Sequence, residues 1–141
     1  MHAYESIENH QLVLDTFGHW PSFHDGEVYR LILDRMRKNS SGSYYPSIEL
    51  FIRGWAMTSE VTNQGHYKIE NDSIVHFLFE YIEDLELQDL NNQNVLASLD
   101  FESILDEDSN IKLNIQLRHC WGLSGYFSAK KAKVISVTPV T

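Results

Sequence analysis

The chain has 141 residues, 43% apolar and 22% charged, with one cysteine and a formal net charge of −9 at pH 7. That length fits a single domain over residues 1–141, because two halves would each be too small to bury a core. The composition excludes a disordered chain and the lone Cys120 excludes an internal disulfide; with no apolar run of membrane-spanning length and no export signal in Met1-His2-Ala3-Tyr4-Glu5, a cytoplasmic protein is expected.

Residues 4–17 read as a helix, with Ile7, Leu14 and the Val13/Phe17 pair at helical spacing and Gly18 as its stop. After Trp20-Pro21 the period becomes two, as Tyr29, Leu31 and Leu33 alternate with Val28, Arg30, Ile32 and Asp34. Asn39-Ser40-Ser41-Gly42-Ser43 has loop chemistry. Residues 47–55 then set Ile48, Leu50 and Ile52 against Glu49, Phe51 and Arg53, so these two strands are expected to form a hairpin with a long connection. Residues 57–73 are polar and without period, which predicts a long loop.

A third strand over residues 74–82 carries Val75, Phe77, Phe79 and Tyr81 on one face, and Leu85 and Leu87 extend the alternation towards Asp89. Beyond a turn at Asn91-Asn92-Gln93, Val95, Ala97, Leu99 and Phe101 form an apolar face opposite Asn94, Ser98, Asp100 and Glu102. After a turn over residues 106–110, Ile111, Leu113, Ile115, Leu117, His119 and Trp121 alternate with Lys112, Asn114, Gln116, Arg118 and Cys120. Gly122 and Gly125 interrupt this run, and residues 127–137 form the last strand. Strand following strand through short turns predicts a mainly β, α+β domain: an antiparallel sheet, open-barrel or sandwich-like, with the N-terminal helix packed against it.

Candidates for chemistry are few. His119 and Cys120 are neighbours on one strand and project to opposite faces, so they make no thiolate–imidazole pair; Cys120 reads as a plain exposed thiol. Gly122-Leu123-Ser124-Gly125 lacks nucleophile-elbow spacing, and no phosphate loop, dinucleotide fingerprint or paired-cysteine zinc pattern occurs. His119 and Trp121 are placed in the core, and His66 and His76 have no evident companion. One constellation remains, Trp20-Pro21-Ser22-Phe23-His24-Asp25-Gly26-Glu27. His24, Asp25 and Glu27 are metal-ligand or acid/base types, and a small metal-dependent enzyme or ligand-binding domain built on them is the alternative reading. Against it, His24 and Asp25 are adjacent and diverge, and no second histidine arrives at a defined spacing. The structural reading has Trp20 and Phe23 plugging the core, Asp25-Gly26 making a turn and His24 bonding the backbone. No catalytic residue, metal or cofactor is expected.

Charge is unevenly distributed: residues 70–111 contain no Lys or Arg, while Arg30, Arg35, Arg37 and Lys38 lie early and Lys130, Lys131 and Lys133 late. A face drawn from Glu80, Glu83, Asp84, Glu86 and Asp89 would repel phosphates and attract a basic partner, which disfavours direct nucleic-acid binding.

The sequence from Trp20 to Val28, the Asp84-Leu85-Glu86-Leu87 run leading to Asn92-Gln93-Asn94-Val95, and Gly122-Leu123-Ser124-Gly125 resemble a bacterial immunity-protein family, the fiftieth among the predicted immunity proteins of polymorphic toxin systems. The likeness spans residues 17–139, with Gly26 standing where Ala is more usual, a change expected to affect local backbone freedom alone. It implies a non-enzymatic cytoplasmic antidote that binds a cognate toxin domain, with no catalytic residues to carry over. A regulatory interaction domain unrelated to toxins is a third reading.

Overall fold

The computed structural model describes residues 2–140, and the side chains of all of these except Met57, Thr58, Ser59 and Tyr67. Six strands make up most of the chain: β1 (Val28–Lys38), β2 (Tyr44–Val61), β3 (Tyr67–Gln88), β4 (Val95–Leu105), β5 (Ile111–Trp121) and β6 (Ser124–Pro139). They form one open antiparallel sheet in the order β1-β2-β3-β6-β5-β4. The mainly β, α+β architecture expected from strand alternation is the one the chain adopts. The sheet curls strongly, since Phe101 of β4 lies 6.0 Å from Phe77 and 6.2 Å from Phe79 of β3, two strands that are not neighbours. Phe77, Phe79, Phe127, Leu50, Ile52, Ile115 and Leu117 fill the concave side and are buried.

The N-terminal stretch is not one helix. Ala3–Ser6 makes a 3-10 turn and the α-helix, α1, covers only Gln11–Phe17. Between them Glu8 pairs with β6: its N–H donates to the Ala132 carbonyl at 2.9 Å and its carbonyl accepts from the Val134 N–H at 2.8 Å. A helix this short has little intrinsic stability, so bonds to an existing strand displace it. The apolar spacing still serves the core, because Ile7, Val13 and Phe17 are buried and Gly18 stops α1 at φ 80°.

The connection between β1 and β2 is the short one expected to be long, residues 39–43. Conversely, the long loop read from residues 57–73 is mostly strand. β2 and β3 continue to pair to Val61 and Tyr67, joined by a turn over residues 62–66. β1 meets β2 no further than Ile52, and β6 meets β3 no further than Ser73. The hairpin therefore projects beyond its neighbours, residues 60–66 and 68–71 are exposed, and no apolar period is required there.

Bulges reassign several faces. Tyr81 does not follow Val75, Phe77 and Phe79 inward; with φ 59° it turns outward and stacks on Tyr45 at 4.4 Å, while Ile82 packs against the core. On β4, register shifts at Leu96 place Leu96 and not Val95 or Ala97 in the core. His119 and Trp121 are exposed, not core, because β6 covers β5 only from Leu113 to Leu117.

Candidate partner-binding face

The segment of residues 20–28 is a seam between the sheet's edges. Asp25 N–H donates to Leu96 carbonyl at 2.8 Å, Leu96 N–H to Gly26 carbonyl at 2.9 Å, Leu99 N–H to Ser22 carbonyl at 2.9 Å and Val28 N–H to Asn94 carbonyl at 2.8 Å. On its other side Glu27 carbonyl accepts from Arg53 N–H at 2.9 Å. Residues preceding β1 thus tie β4 to β2 and close one end of the sheet. Phe23, 2% exposed, packs edge-on to Phe77 at 5.9 Å, and Trp20 stacks on Tyr4 at 4.7 Å, so both plug the core as expected. The turn closes with the Gly26 N–H on the Phe23 carbonyl at 2.9 Å. His24 Nδ1 lies 3.0 Å from the Ala97 carbonyl, the backbone bond expected of it.

Two expectations about this motif fail. His24 and Asp25 do not diverge: Nε2 and Oδ2 approach to 3.5 Å, because Asp25 adopts φ 62° and folds its side chain back. Gly26 is a steric requirement and not a matter of local freedom, since a Cβ there would lie 2.5 Å from the Arg53 carbonyl oxygen. Both side chains face solvent, at 64% and 56% exposure, and among the described residues no group of three or more His, Cys, Asp or Glu is placed to hold a metal ion.

The other two sequence segments meet the seam. Asn94, 6% exposed, accepts from the Asn91 and Leu123 N–H groups, both at 2.9 Å, and donates to the Asn91 carbonyl at 2.9 Å. Gly122 and Gly125 allow close approach to Gln93 and to Glu86 respectively. Residues 20–28, 91–95 and 122–125 therefore serve the closed end of the sheet, whereas the Asp84–Leu87 run lies outside it.

The outward face of β4, β5, β6 and β3 supplies a candidate partner-binding surface. Asn114 and Gln116 alternate with buried Leu113, Ile115 and Leu117 and point outward. Register sets Asp100, Gln116, Tyr126 and Glu86 in one row and Glu102, Asn114, Ser128 and Glu83 in the next. A bulge between Glu83 and Glu86 inserts Asp84, at φ 55°. These rows enclose a groove of about 460 Å³ lined by Asp84, Asp100, Glu102, Arg118 and Tyr126 among others.

Of the five acidic residues predicted as a contact face, the structure brings three together. Asp84 lines the groove and Glu83 and Glu86 border it. Glu80 lies apart, accepting from the Tyr45 hydroxyl at 2.5 Å, and Asp89 follows the end of β3 without lining the groove. Asp100 and Glu102, absent from that prediction, replace them. Their signal was present in the polar alternation of β4, but only the pairing of β4 with β5 reveals it.

Glu83 sits between Lys112 at 4.0 Å and Lys130 at 3.9 Å, and Asp100 takes a 2.5 Å bond from Arg118 Nε. Asp84 and Glu102 make no ion pair with any described residue. Tyr126, 46% exposed, bonds Glu86, and that bond, reinforced by the Glu86 charge, holds its phenol above the ordinary pKa. His76 does have a companion after all, with Nε2 2.8 Å from Glu49 Oε1, while its ring stacks on Phe51 at 3.9 Å.

Comparison of the chain with protein-family models, with curated proteins and with solved structures finds no match. Among the described residues no helix is long and apolar enough to cross a membrane.

Proposed function

We propose that the chain is a cytoplasmic immunity protein that neutralises a toxin by binding it, with the groove across β4, β5, β6 and β3 as the contact face. The observation that carries this reading is the pair of unneutralised carboxylates, Asp84 and Glu102, lining one groove with the half-exposed ring of Tyr126. A tyrosine at such a position supplies contact area at low entropic cost, and fixed carboxylates supply attraction to a basic surface. The bulge at Asp84 and the strand registers hold these groups without a flexible loop, which lowers the cost of binding. Partner and acidity fit together: toxin domains that act on nucleic acid tend to be basic, and steering accelerates capture.

The test is co-purification with the toxin domain encoded beside this chain, followed by Tyr126→Ala and Glu102→Lys variants. Each variant is expected to weaken the complex by at least tenfold while melting normally. A toxin domain that does not associate with the chain would end this reading.

A further inference from the structure

We propose that the free edge of β1 takes up an extended segment of a partner protein, acidic and apolar in alternation, as an added strand. This site lies on the opposite flank of the sheet and does not rest on the groove.

Beyond Val28, among the described residues, β1 hydrogen-bonds to β2 alone; residues 90–92 face residues 29–31 across an open pocket of about 420 Å³ without bonding to their backbone. Such an edge is a template for strand addition unless something covers it. Inward from that edge, across β1, β2 and β3, lies an apolar trough of about 220 Å³ lined by Leu33, Pro46, Ile48, Ile82 and Leu85. Leu33 is 55% exposed and Leu85 41%, so the trough walls are wet.

Charge selects the occupant. Arg30, Arg35 and Lys38 are exposed along β1; Arg30 lies over the Phe51 ring and Lys38 over the Tyr44 ring, and none has a carboxylate of a described residue within 4.0 Å, in a chain whose net charge is −9. The strand's single acid, Asp34, keeps its charge while its Oδ1 accepts the Met36 N–H at 2.8 Å, so along β1 the cations Arg30, Arg35 and Lys38 outweigh one carboxylate. An alternating segment would place apolar side chains beside Leu33, at the β1 end of the trough, and carboxylates beside the cations. The register shift between Asp34 and Arg37 confines backbone pairing to the first half of β1, leaving Arg35 and Lys38 to act through charge. A second copy is a poorer occupant: its β4 edge is already bonded at Leu96 and Leu99 to residues 22–26, and two β1 edges would oppose like charges.

The probe is a short peptide alternating Asp and Leu, with a Lys/Leu peptide as control, added to the full chain while amide exchange is followed. The Asp/Leu peptide is expected to slow exchange in the first half of β1 about tenfold or more, with affinity falling steeply as salt rises. An R35E/K38E variant is expected to lose about tenfold in affinity, and Leu33→Ser, which leaves every charge in place, to weaken binding at high salt as well. Thermal melting confirms that both variants fold, since all three side chains are exposed. Equal protection by the Lys/Leu peptide, no protection of β1, or protection that grows with protein concentration alone would overturn the proposal.

Discussion

The two flanks of the sheet carry unpaired charge of opposite sign. Among the described residues, Arg30, Arg35 and Lys38 of β1 have no carboxylate partner, and Asp84 of β3 and Glu102 of β4, on either side of the groove, have no cation. On β2 and β3 several charges are matched. Arg53 makes a paired contact with both Asp72 oxygens, Arg37 reaches Glu49 at 3.5 Å, and Glu49 bonds His76 at 2.8 Å. The lesson is that a net charge of −9 is a poor guide to what a partner meets. Paired charge in the middle contributes to the fold, while unpaired charge on the flanks is available for recognition.

This division can be broken at its parts. Gly26→Ala should have the largest effect on stability, about 1–3 kcal/mol, because the new Cβ forces the Arg53 carbonyl away and loosens the seam; chemical denaturation measures it. Arg53→Met should cost about 1–2 kcal/mol, since it strands Asp72, which is 20% exposed, after losing a two-pronged bond partly screened by water. Tyr45→Phe tests the middle by pH. The Glu80 bond holds the Tyr45 phenol above its ordinary pKa of 10.0, so the folded state keeps that proton longer than the unfolded chain. Stability from this bond is therefore full below about pH 10 and lost as pH rises through the raised value. The Phe variant should show a shallower alkaline loss. Asp84→Asn with Glu102→Gln should change stability least, within about 0.5 kcal/mol, as neither carboxylate has an ionic partner to lose.

The succession of strands and many core positions could be read because alternation reports a buried face directly; Leu113 to Leu117 and Ile48 to Ile52 show it, though Ile111, on the same alternation, is 52% exposed. The failures share two causes. A bulge flips every later side chain, and nothing in the composition around Tyr81 or Leu96 announces one. Coverage by a neighbouring strand also determines whether an apolar residue is buried, so Trp121, beyond the reach of β6, is 59% exposed despite its regular spacing. The candidate groove was half legible for the same reason. Asp84 belongs to a conspicuous acidic run, whereas Asp100 and Glu102 join it only through register across two further strands.

The most direct measurement is the association rate of the chain with the toxin domain that the proposed function requires, across a range of salt, for the native sequence and for Asp84→Asn/Glu102→Gln. The groove account predicts a rate about tenfold lower at low salt for the double variant and a flatter salt dependence, with Arg35→Gln/Lys38→Gln leaving both unchanged. Rates and salt slopes that are the same for the native chain and the groove variant would contradict it.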